Sequence, residues 1–108
     1  MTPDTISDSN LKILLHAPTA AALERARSNA ANVRREAPRA EVRILLNAAA
    51  VAAALDAPAH ELDEATWLCP NTLRKIDREG RAPLNVLPGS SILEMARLQR
   101  AGWLYIRA

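Results

Sequence analysis

The segment Thr66-Trp67-Leu68-Cys69-Pro70-Asn71-Thr72 sets the one cysteine of the chain between a short apolar run and a proline suited to the first position of a helix. A thiol at that place faces the unpaired N–H groups of a helix start, here those of Asn71 and Thr72, and these favour the thiolate over the thiol. With no second cysteine for an internal disulfide, a reactive Cys69 has to exchange sulfur or electrons with another molecule. The position also suits an inert thiol that packs as a small hydrophobe, so both readings stand at this point.

Three other positions fall, like Cys69, at the ends of apolar runs: His16, Asn47 and Pro88. In an open parallel sheet the crevice outside the carboxyl ends of the strands is where ligands bind, which makes these residues the candidate lining of a strand-end pocket. His16 is a candidate proton donor or acceptor, and a histidine there serves equally well as a hydrogen-bonded structural residue. His60 lies in a polar loop and reads as surface. Two scattered histidines and one cysteine match no zinc pattern, so no metal is expected. Glycine occurs only at positions 80, 89 and 102, which leaves neither a phosphate-binding loop nor a dinucleotide fingerprint, and no cofactor is expected.

The elements that must carry these residues follow from apolar patterning. Leu11 to His16 is a nearly continuous apolar run, as in a strand covered on both faces, and Thr19 is placed to cap the helix that follows. Leu23, Ala26, Ala30, Val33 and Ala37 recur at helical spacing, and Pro38 closes that segment. Glu41 to Asn47 reads as a second strand, and Ala48 to Leu55 as an alanine-rich helix smooth enough for close approach by another element. A loop over 56–65 leads to a third strand at 66–69 and a helix from Pro70 that Gly80 ends. Leu84 to Leu87 gives a fourth strand. Ser91 and Glu94 read as a capping box for a helix running to Gly102, and Trp103 to Ile106 forms a fifth strand. Alternation of strand and helix predicts an α/β fold with a five-stranded, mostly parallel sheet and helices on both faces.

Composition limits the rest. A chain of 108 residues supports one core, and 49% hydrophobic with 24% charged residues is the balance of a folded domain. Residues 1–10 are expected as a flexible polar leader and 11–108 as a single domain. The chain has no phenylalanine, two tryptophans and one tyrosine, so its core must use small aliphatic side chains, and association of subunits is expected to add stability. A net charge of +2, with arginines interleaved among acids and few aromatic platforms, argues against nucleic-acid binding. No apolar run approaches the ~20 residues of a membrane span, and the first ten residues lack the pattern of a secretory signal, so a cytoplasmic location without membrane contact is expected.

The chain resembles the DsrE/DsrF-like family of small sulfur-relay proteins over Leu11 to the C-terminus. The resemblance is carried by Cys69-Pro70-Asn71-Thr72-Leu73, by Val86-Leu87-Pro88-Gly89, and by Leu98-Gln99 with Gly102-Trp103 and Tyr105-Ile106; Asn29, Asn32 and Asn47 match more loosely. Membership implies a three-layer fold with the fifth strand beside the first, trimers or hexamers, and a cysteine that carries a persulfide between donor and acceptor proteins. Carried to this chain, that cysteine is Cys69. One departure is Asn47-Ala48-Ala49, where relatives often have glycine.

The expected function is thus a cytoplasmic sulfur carrier, a candidate sulfurtransferase, with Cys69 as the carrier and His16 assisting proton movement. Asn71 and Thr72 would stabilise its thiolate, and Asn47 and Pro88 would line the pocket. The alternative is a non-catalytic small-ligand-binding or assembly module of the same fold.

Overall fold

A computed structural model describes residues 8–108 as a five-stranded parallel sheet with helices on both faces, in the order β4-β3-β2-β1-β5. The strands are β1 (Lys12–Ala17), β2 (Glu41–Leu46), β3 (Thr66–Leu68), β4 (Asn85–Val86) and β5 (Leu104–Arg107). The helices are α1 (Ala20–Glu36), α2 (Ala49–Asp56), α3 (Pro70–Lys75) and α4 (Ser91–Arg100). Every strand pair is parallel, and β5 lies beside β1. Asp8–Asn10, expected as part of the leader, form a 3-10 turn in which Leu11 N–H donates to the Asp8 carbonyl. The rest of the expected leader lies outside the described residues.

The order explains how the helices divide. From β1 to β4 each connection steps the same way across the sheet, and right-handed crossovers then set α1, α2 and α3 on one face. The return from β4 to β5 runs the other way and sets α4 on the opposite face. The two apolar cores record this split. One joins Leu15, Ile44, Leu46 and Leu68 to α1, α2 and Leu73, and the other joins Leu14 and Leu45 to Met95 and Trp103.

Alanines at 22, 26, 30, 50 and 54 are fully or almost fully buried, so α1 and α2 approach the sheet closely without aromatic filler. Helix α1 begins at Thr19, whose Oγ1 accepts from the Ala22 N–H at 3.0 Å, as its residue type foretold. The ends of α3 and α4 use one device. Arg78 N–H donates to the Leu73 carbonyl and Asp77 N–H to that of Arg74, with Asp77 at φ 54°; Trp103, Gly102 and their partners Leu98 and Gln99 repeat the pattern with Gly102 at φ 101°. So α3 stops at Lys75 rather than running to Gly80, because an aspartate takes the left-handed position usually given to glycine.

Among the described residues helix α4 is alone on its face of the sheet and has only ten residues with which to cover it. The amino-terminal half of that face is closed instead by Arg43, whose guanidinium carbon sits 5.0 Å from the Trp67 ring centre and 4.8 Å from that of Trp103. On the other face, in the turn before β3, Asp63 is fully buried. Its carboxylate lies 3.2 Å from Arg81 Nη1 and 3.6 Å from Arg27 Nη2, and it accepts from the His60 N–H at 3.0 Å. Arg81 also donates to the Ala54 carbonyl, tying the segment before β4 to α2. His60 is therefore built into this turn, its Nδ1 accepting from the Leu62 N–H, and is more than the loop surface its sequence context suggested.

Candidate functional site

Adjacent strands whose following helices leave to opposite faces open a crevice between them, and in this sheet β3 and β4 are such a pair. Cys69 ends β3 and precedes α3. Ser90 and Ser91 follow β4 and begin α4. The β2–α2 turn at Asn47 and Ala48 borders the same crevice, which forms a cavity of about 480 Å³ whose lining includes Cys69, Thr72, Lys75 and Ser91. Three helix starts therefore border the cavity that Cys69 lines.

Cys69 is only 3% exposed, and what it exposes borders this cavity. Burial on its own pushes the thiol up and is the largest single influence. Hydrogen bonds from the Ser91 hydroxyl, the Thr72 N–H, the Ser91 N–H and the Thr72 hydroxyl act the other way, and together they outweigh burial and lower it to about 7. About half of the thiol is then ionised at neutral pH, against a few per cent for an ordinary cysteine.

Of the two residues expected to hold the thiolate, Thr72 does so with both its N–H and its hydroxyl. Asn71 does not. Its N–H, through which the role was expected, is not among the groups that lower the thiol, and its exposed side chain lines the cavity and is engaged by the Arg74 guanidinium. The residue in its place is Ser91, whose spacing from Glu94 suggested a capping box. The structure makes Ser90 the cap residue and Ser91 the first residue of α4, while Glu94 turns to Arg97 at 2.8 Å. Freed from capping, the Ser91 hydroxyl faces Cys69. A serine at the first helical turn after a neighbouring strand is a weak signal in sequence, because the strand order that brings it to Cys69 is not written locally.

Asn47 lines the cavity, and its Nδ2 donates to Ser91 Oγ at 3.4 Å. Pro88 is exposed at the end of β4 and stands outside the lining. His16 also stands outside it. The ring reaches the site through Asn47, with Nε2 at 2.9 Å from Asn47 Oδ1, and its Nδ1 is 2.7 Å from the Tyr105 hydroxyl.

The backbone of Ala48 takes φ 48° and ψ −139°, a conformation that glycine adopts freely and alanine at a cost. In that turn its N–H donates to Thr72 Oγ1 at 3.2 Å. The alanine thus keeps a glycine-like turn, and the turn delivers an amide proton to a hydroxyl that serves the thiolate.

Among the described residues no group of His, Cys, Asp and Glu side chains gathers as a metal would require, and no helix is long and apolar enough to cross a membrane. No protein-family model matches the chain, and no curated protein is similar enough to it to count as a relative.

Proposed function

We propose that this protein is a cytoplasmic sulfur carrier of the DsrE/DsrF-like kind, in which Cys69 holds sulfane sulfur as a persulfide. The observation that supports this reading is a thiol brought to about 7 by four hydrogen bonds while it borders an open cavity. A buried cysteine with a merely structural role has no use for such an arrangement.

The reaction follows from the thiolate. Cys69 Sγ attacks the outer sulfur of a donor persulfide, a new S–S bond forms as the donor's own S–S bond breaks, and the donor leaves as a thiolate. Cys69 then carries a terminal S–H, and in this protonated form its outer sulfur is open to attack and leaves with its proton. An acceptor thiolate attacks that outer sulfur, takes it with the electron count unchanged, and returns Cys69 as a thiolate. Hydrogen bonds from Thr72 and Ser91 hold the anion at the start and the end of the cycle. Donor and acceptor are proteins in this reading, and the carrier works as a homotrimer or hexamer.

The second reading, a ligand-binding or assembly module, is favoured by a different observation. Edge strand β5 exposes Leu104 and Ile106 on the face that carries α1 and Tyr105 on the face that carries α4, where the exposed Ile92 neighbours it. Apolar side chains grouped at an unpaired edge mark an association surface.

Incubation with a small persulfide donor, followed by intact mass measurement, separates the two. A carrier gains one sulfur atom that reductant removes and a thiol acceptor takes up, and Cys69→Ser gains none. If wild type gains no sulfur and its thiol resists alkylation until the protein unfolds, the assembly reading replaces the carrier.

A further inference from the structure

We infer that Ser91, Asn47, His16 and Tyr105 form one hydrogen-bond chain with a fixed direction, every proton in it pointing towards the Cys69 sulfur. The inference deepens the carrier reading and rests on it, since a chain of this polarity has work to do only if Cys69 reacts as a thiolate.

The direction follows from what each atom can do. Asn47 Oδ1 only accepts, so the His16 Nε2 that lies 2.9 Å from it must carry the proton. In the tautomer with that proton on Nε2 the ring presents a bare Nδ1, and the Tyr105 hydroxyl 2.7 Å away donates to it. With its oxygen occupied by the histidine, Asn47 presents Nδ2 to Ser91 Oγ at 3.4 Å. Ser91 Oγ accepts that proton, and its own is left for the thiolate. Turning the amide over would reverse every bond and pull the Ser91 proton away from sulfur.

The neighbouring residue repeats the logic. Ala48 N–H donates to Thr72 Oγ1 at 3.2 Å, which leaves the Thr72 hydroxyl proton free for the same sulfur. Two consecutive residues of the β2–α2 turn thus orient two hydroxyls on two other helices. Ser91 shares the cavity with the reacting sulfur and lowers its thiol; Asn47, His16 and Tyr105 are positioning residues that act through it. Lys75 is the one charged side chain lining the cavity, and it belongs to neither branch.

The test is the pH profile of iodoacetamide alkylation at Cys69, read on folded protein whose circular dichroism matches wild type. Ser91→Ala is expected to move the midpoint up by about one pH unit, and Ser91→Thr, which keeps the hydroxyl, to restore it. Asn47→Asp places an acceptor at both ends of the former amide, so it captures the Ser91 proton and raises the midpoint as well. Its added negative charge contributes too, and the double variant with Ser91→Ala isolates that part: the chain predicts that Asn47→Asp shifts the midpoint less without the serine hydroxyl than with it. A wild-type midpoint near 7 with no change in Ser91→Ala, or equal shifts from Asn47→Asp in both backgrounds, overturns the chain and leaves the carrier reading intact. A wild-type thiol that alkylates only after unfolding overturns both.

Discussion

Cys69 and Ser91 follow neighbouring strands whose helices depart to opposite faces of the sheet, yet both line one cavity, and the Ser91 hydroxyl is the strongest of the influences that lower the Cys69 thiol. This meeting is a product of topology, because β3 and β4 are the one adjacent pair of strands whose following helices split between the two faces. The site is therefore sensitive to anything that shifts the start of α4 relative to the start of α3.

Alkylation of Cys69 should follow a titration centred at about 7, whereas a free thiol titrates near 8.5. The sign is that of an acid whose ionised form the fold favours: reactivity is full above pH 8, falls through 7 and is lost towards pH 5. Rates of iodoacetamide labelling across that range check this, and Cys69→Ser supplies the blank. A midpoint at 8.5 or higher would mean that burial prevails over the four hydrogen bonds.

At Ala48 the strained turn predicts a gain from a substitution that removes a methyl group. Ala48→Gly should stabilise the fold by up to about 1 kcal/mol, read as a higher urea midpoint with an unchanged slope, while Ala48→Val should lower it. Loss of stability in the glycine variant would show that φ 48° carries no cost here.

Removing the carboxylate of Asp63 should be among the most damaging single changes in the chain. Asp63→Ala leaves Arg81 and Arg27 facing each other without their shared anion, and a loss of about 3–5 kcal/mol is expected in chemical denaturation. Glu24→Ala, an exposed change nearby on α1, should stay within about 0.5 kcal/mol and serves as the control.

The exposed edge gives a prediction about assembly. If edge strand β5 meets a second copy, Ile106→Lys should shift the elution and scattering mass of the protein towards the monomer without loss of helical signal. A mass that already corresponds to one chain in wild type would remove the oligomer from the proposal.

Patterning along the chain is enough to place all five strands and four helices within a residue or two at most ends, since apolar runs and the caps at Thr19, Pro70 and Gly102 are local signals. The end of α3 is not legible, because an aspartate at φ 54° leaves no mark that a glycine would. Cys69 stands out as soon as the helix start beside it is read. Ser91 does not, since its role depends on strand order, and the order of strands in a sheet is a long-range property. The same distance separates His16 from Tyr105: they are 89 positions apart in sequence, and parallel pairing of β1 with β5 brings them together.

The stack of Trp67, Arg43 and Trp103 carries a spectroscopic consequence. Both indoles of the protein rest against one guanidinium on the α4 side of the sheet, so intrinsic fluorescence is a report from a single place. It will follow the loosening of that face during denaturation, while the buried alanines under α1 and α2 stay optically silent. Thiol accessibility at Cys69 supplies a second, chemically independent clock at the carboxyl ends of the strands, and disagreement between the two clocks would reveal a sheet that opens one side at a time.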